Sequence, residues 1–169
     1  MAKKTKRSQV QEIIKCGKDP NYFFKNYLKI QHPVRGLIPF DTFSFQDDCV
    51  NQFLDNRFNI VLKSRQLGLS TLVAAYSVWM AIFQREKNIL IIATKLSVAQ
   101  NFIIKVKTML RSLPKWLMIP EMVANNKQLI QFNHGSQIKA IPTSEDAGRS
   151  EALSLLIVDE AAFVRNFDT

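Results

Sequence analysis

Apolar positions change their period near residue 58, dividing the chain into a helical first third and a remainder in which short buried runs alternate with amphipathic ones. Ser8 precedes a mixed run that stops near Gly17, which predicts a short helix. Asp19-Pro20 is a cap followed by a first-turn proline, which predicts a second, aromatic-rich helix through about Ile30. His32-Pro33 to Phe43 reads as an irregular connection. Ser44 predicts a cap for a third helix over about Phe45 to Asn56, with Phe45, Cys49 and Phe53 as its buried stripe.

Beyond that point the pattern is that of parallel strands joined by helical crossovers. Phe58 to Leu62 reads as the first core strand, Ser70 to about Gln84 as a long apolar helix, and Asn88 to Thr94 as a strand buried on both faces. Val98, Phe102, Val106, Leu110 and Leu113 recur every three or four positions, so about Leu96 to Ser112 is an amphipathic helix ended by Pro114. Gln128 to Phe132 and Gln137 to Ile141 flank Asn133-His-Gly-Ser136, whose Asn and Gly tolerate positive φ, so a β-hairpin is expected. Leu153 to Val158 is the last predicted strand, apolar up to its acidic end.

Composition narrows the class without deciding it. The 169 residues are 47% hydrophobic and 22% charged, ordinary for a globular chain, while 23 Lys and Arg against 14 Asp and Glu leave a formal charge of +9. That balance favours polyanionic partners such as nucleic acid or phosphates. Part of it sits in Lys3-Lys4-Thr5-Lys6-Arg7, which reads as a solvated terminus. Cys16 and Cys49 form no metal-binding pattern, and their spacing suggests no disulfide framework, so a reduced, intracellular setting is expected. The longest apolar run, Leu72 to Phe83, is too short to span a bilayer, and no membrane partner is expected.

Two motifs carry chemistry. Lys63-Ser64-Arg65-Gln66-Leu67-Gly68-Leu69-Ser70-Thr71 lies between a predicted strand and a predicted helix, as a phosphate-binding loop does. Gly68 and Ser70 match that pattern, but Lys63 replaces its first glycine and Leu69 its lysine. The displaced charge then falls to Arg65, whose guanidinium can hold phosphate oxygens bidentately, with Lys63 as second choice. Ser70 or Thr71 would place a hydroxyl on Mg²⁺, Ser70 standing at the pattern's own position. The second motif is Asp159-Glu160, two acids after a run of aliphatics. Asp159 is expected to assist the metal and Glu160 to act as the base that activates water.

Two further residues are weaker candidates. Arg149, in the polar loop before the acidic strand, is a candidate arginine finger, acting in its own subunit or a neighbour's. The amide of Gln46 could read an adenine edge. The reading is thus a nucleotide hydrolase of the α/β class: a P-loop NTPase-like, mostly parallel sheet with flanking helices, a helical lead-in and an inserted hairpin. Residues 1–43 form the basic tail and helical lead-in, and residues 44–169 a partial ATPase domain.

With these residues assembled, the chain resembles the N-terminal part of the large terminase subunit of tailed bacteriophages. The resemblance rests on Ser64-Arg-Gln-Leu-Gly68, the Ile92-Ala-Thr94 strand end, Leu113-Pro-Lys-Trp-Leu117, the Asn133-His-Gly-Ser136 hairpin, and Gly148-Arg-Ser150 ahead of Ile157-Val-Asp-Glu-Ala-Ala-Phe163. It implies ATP hydrolysis, with ATP and Mg²⁺ bound, driving double-stranded DNA into a procapsid. A homo-oligomeric ring on the portal protein, assisted by the small terminase subunit in the host cytoplasm, is implied with it. It also strengthens Gln46 as an adenine reader and Arg149 as an arginine finger.

Leu69 departs from relatives that carry lysine there. The family also continues into a coupling motif and a nuclease domain that do not follow Thr169 here, and in that ATPase class the next strand inserts between the loop strand and the acidic strand. An incomplete sheet, marginal stability and poor ATPase activity of this chain alone are therefore expected. Alternative functions are a catalytically impaired nucleotide- or DNA-binding remnant and a helicase-like ATPase.

Overall fold

The computed structural model describes residues 6–143 and 152–163. Two helices open the chain, α1 (Lys6–Lys18) and α2 (Pro20–Tyr27). Asp19 caps α2 as expected, its Oδ1 accepting the Tyr22 N–H at 2.9 Å. The helix ends earlier than its apolar pattern suggests, because Leu28 turns extended and its carbonyl accepts the Phe40 N–H. A small antiparallel hairpin follows, β1 (Lys29–His32) and β2 (Gly36–Pro39), where an irregular connection was expected. Its turn is held by His32, whose Nδ1 accepts the N–H groups of Val34 and Arg35.

The third helix, α3 (Ser44–Asp55), has Phe43 rather than Ser44 at its cap. Its buried positions are Gln46 and Val50, and Cys49 and Phe53 of the predicted stripe are partly buried against the core, so only Phe45 departs from the expected face. Phe45 instead stacks outside on Phe43, ring centroids 5.7 Å apart.

The long apolar helix is α4 (Leu69–Phe83), followed by β3 (Asn88–Ala93) and α5 (Leu96–Ser112). A three-stranded antiparallel run comes next, β4 (Met122–Asn125), β5 (Leu129–Phe132) and β6 (Gln137–Pro142), and then β7 (Leu155–Val158) and a short 3-10 turn at Ala161–Phe163. The expected hairpin is β5–β6, turned at Gly135 with φ 87°. Strand β4 was not foreseen.

Spatial order in the five-stranded sheet is β4-β5-β6-β3-β7, with β6 and β7 both parallel to β3, which lies between them. Ile89, Leu90 and Ile91 are fully buried in succession. Successive strand residues point to opposite faces, so both faces of β3 are covered. The α/β architecture is as the alternation of runs predicted, but the sheet is mixed rather than mostly parallel: β3 pairs in parallel with β6 and β7, while β4–β5 and β5–β6 pair antiparallel.

One expected strand is missing from the sheet. Residues 57–62 adopt no strand, and Phe58, Ile60 and Leu62 are 82%, 100% and 101% exposed. An apolar, β-branched run becomes a strand only where a neighbour offers a hydrogen-bonding edge and a surface to cover. This run pairs with none of the described strands, and among the described residues β7 has β3 as its one neighbour.

The helical lead-in shares the core of the sheet and its helices. Phe23, Phe24, Leu28 and Phe40 belong to the same buried cluster as α4 and β3. Phe23 meets Phe83 edge-on at 5.1 Å, and the Trp79 indole N–H donates to the Cys16 carbonyl at 2.9 Å. A Cβ at Gly17 would stand 3.3 Å from the Phe83 ring, a tight contact that would require the ring to shift slightly. No described helix is long and apolar enough to cross a membrane.

Candidate functional site

Parallel strands all end on one side, and that side carries the chemistry. Ala93 pairs with Pro142 and Ile92 with Val158, so Thr94, Thr143 and Asp159 emerge from β3, β6 and β7 at one level. The Thr143 N–H donates to the Ala93 carbonyl at 2.9 Å and the Asp159 N–H to Ile92 at 3.1 Å, which extends the ladder to the motif.

Against this edge lies the loop before α4. Two of its residues are left-handed, Gln66 (φ 64°) and Gly68 (φ 71°, ψ 12°), the latter as N-cap. The first helical N–H groups of α4, on Leu69 and Ser70, have no side-chain cap, and a helix start of this kind presents free donors and a partial positive charge. The loop and the strand ends line one cleft of about 930 Å³, with Lys63, Arg65, Gln66, Leu67, Gly68, Leu69, Ser70 and Thr71 on one side and Thr94, Lys95, Lys105, Thr143 and Glu160 on the other.

The contact that joins the two motifs is a hydrogen bond. Ser70 Oγ donates to Asp159 Oδ2 at 2.7 Å, across 89 positions of sequence. The hydroxyl and carboxylate predicted to share a metal are thereby neighbours. Among the described residues no three His, Cys, Asp or Glu side chains gather into a metal cluster. A cation here would take two protein oxygens and complete its shell with phosphate and water, a pattern that suits Mg²⁺. Glu160 follows at the mouth of the cleft, exposed and with φ 56°. A non-glycine residue in that region is uncommon, and such outliers cluster at functional sites.

The remaining predicted residues are placed less uniformly. Lys63 and Arg65 are exposed and line the cleft. Leu69 is 8% exposed and part of the core, so the position where lysine was expected contributes apolar packing. Ser64 is exposed and is not among the residues lining the cleft. Arg149 lies outside the described residues.

Gln46 departs most from expectation. It is 2% exposed, and its amide is engaged by backbone: Oε1 accepts the Phe43 N–H at 3.1 Å and Nε2 donates to the Leu67 carbonyl at 3.0 Å. A Cβ on Gly68 would stand 3.0 Å from that Nε2. Gln46 thus ties α3 to the loop and helps set its shape, where the sequence suggested a reader of adenine. Gln46→Met is expected to lower stability by about 1–3 kcal/mol, since it removes two hydrogen bonds made by a buried side chain, and to weaken nucleotide binding; urea denaturation and a binding titration measure both.

Six cleft residues were not anticipated as site residues: Thr94, Lys95, Val98, Lys105, Thr143 and Phe163. The signal for the first two was the parallel strand end itself, where ligands collect. Lys105 had none, since it is a lysine on an amphipathic helix until the fold turns it inward. Burial lowers its pKa, the nearby Asp159 raises it again, and Lys63 lowers it.

The structure of this site can be set beside known proteins. The crystal structure of the HK97 bacteriophage large terminase superposes with a TM-score of 0.60 at 18% identity, over 84% of this chain and 37% of that one. At that identity the likeness concerns the fold alone. The family model described as terminase large subunit, T4likevirus-type, N-terminal, matches residues 60–169 and so covers both the loop and the acidic strand. The chain belongs to the large terminase subunit family, as an N-terminal part of it.

Proposed function

We propose that the cleft binds Mg²⁺ and ATP and hydrolyses the nucleotide, as the ATPase part of a viral motor that packages double-stranded DNA. The observation that carries this is the Ser70–Asp159 hydrogen bond, which brings a loop hydroxyl and a strand-end carboxylate to 2.7 Å beside free helix N–H groups. The setting proposed with it is a homo-oligomeric ring on the portal protein, with the small terminase subunit as partner and the host cytoplasm as location, a reading that family membership supports.

In this mechanism the loop N–H groups and the start of α4 hold the phosphates. Ser70 and Asp159 hold the metal, which when bound neutralises charge on the phosphates. Arg65 balances further negative charge, and Glu160 takes the proton of the attacking water. An arginine finger, for which Arg149 is the candidate, would stabilise the charge that develops in the transition state.

Magnesium-dependent phosphate release and nucleotide binding test this together. Asp159→Asn and Arg65→Ala should each lower turnover at least about tenfold, as expected for loss of charge-assisted contacts to metal and phosphate. Unchanged turnover in both variants would sink the assignment. A second reading, a nucleotide-binding protein with impaired hydrolysis, is favoured by the apolar Leu69 in the lysine position. It predicts magnesium-dependent binding without phosphate release.

A further inference from the structure

Leu69 leaves the loop without its usual ammonium, yet a different lysine reaches the same cleft. Lys105 lies on α5 and lines the cleft together with the loop. It stands seven positions after Val98, two turns further along the same face, and both line the cleft. Side chains on a helix lean toward its N-terminus, so Lys105 extends back toward Thr94 and Lys95 at the end of β3. It is half-buried and has no hydrogen-bond or ion-pair partner among the described residues. A long cationic side chain held this way, instead of reaching for water, keeps its charge poised for an anion.

The charges around it indicate the same ligand. Lys63, Arg65, Lys95 and Lys105 line the cleft against one lining carboxylate, Glu160, with Asp159 joined through Ser70. Of the four cations Lys105 alone is not exposed, and it comes from an element packed into the core, since the helix buries Ala99, Phe102, Ile103, Val106, Met109 and Leu110. A cation on a packed helix is better preorganised than one on an exposed loop.

We propose that Lys105 is a phosphate-binding residue that supplies, from α5, the ammonium which Leu69 does not supply from the loop. The inference rests on the nucleotide reading of the cleft and deepens it. Lys105 contacts the terminal part of a polyphosphate, so its contribution depends on phosphate number.

The test is a binding titration of the full chain with a non-hydrolysable ATP analogue, with AMP and with inorganic tripolyphosphate, all with magnesium. Lys105→Gln should weaken the analogue and tripolyphosphate about 10- to 100-fold, as expected for one charge-assisted contact, and change AMP by less than about threefold. Lys105→Arg should retain most of the affinity. Leu69→Lys in the Lys105→Gln background should restore binding, because it returns the ammonium to the loop; this rescue also separates a phosphate contact from a defect in folding. Equal binding of the analogue by wild type and Lys105→Gln overturns the role of Lys105 and leaves the nucleotide reading standing. Loss of AMP and tripolyphosphate in equal measure without rescue assigns Lys105 a packing role and also overturns it. No binding of any of the three by the wild-type chain overturns both readings.

Discussion

Glu160→Gln should lower magnesium-dependent ATP turnover about 10²- to 10⁴-fold while leaving nucleotide affinity within a few fold, the range expected for loss of a positioned general base. Glu160 lines the cleft one residue beyond the carboxylate that bonds Ser70, and it is exposed to water from which a nucleophile could come. Glutamine keeps the size and polarity of the side chain but cannot take a proton. Its backbone, at φ 56°, holds the carboxylate in a direction that a relaxed strand end would not adopt. Single-turnover phosphate release alongside analogue binding separates the outcomes. Turnover unchanged by the variant would remove Glu160 from the chemistry, and loss of binding in equal measure would assign it to nucleotide binding instead.

The largest loss of stability is expected from Ile91→Ala, about 2–5 kcal/mol by urea denaturation. Ile91 is fully buried in β3, paired with Ala140 on one side and Ile157 on the other, so truncation leaves a void that neither neighbour can close. Ile60→Ala provides the contrast. Ile60 is fully exposed, and its truncation should change stability by no more than about 0.5 kcal/mol. If the two substitutions cost the same, residues 57–62 are packed in solution as a strand, and the sheet is larger than the one described here.

That contrast marks where sequence pattern and fold part company. Ile89 to Ile92 and Phe58 to Leu62 look alike as short aliphatic runs, yet one is an interior strand paired on both sides and the other pairs with nothing described. Strand formation depends on a neighbour's edge, a partner that the run's own residues do not specify. Amphipathic helices are different, because their hydrogen bonds close within the segment. Leu96 to Ser112 accordingly appears with its expected bounds, and Asp19-Pro20 starts α2 where it should. Helix faces were less legible: α3 presents Gln46 inward in place of Phe45, since a backbone carbonyl at Leu67 and an amide at Phe43 both need a partner there.

By itself the sequence determined the alternation of strands and helices, the hairpin turned at Gly135, the loop ahead of α4 and the acid pair after β7, all of which follow from local period, turn chemistry and short motifs. Tertiary structure alone decided that Ser70 meets Asp159, that Gln46 braces the loop, and that Lys105 turns into the cleft. Each of those depends on which strands are neighbours and how far a helix is rotated against them, and contacts between residues tens of positions apart are set only when the whole core packs.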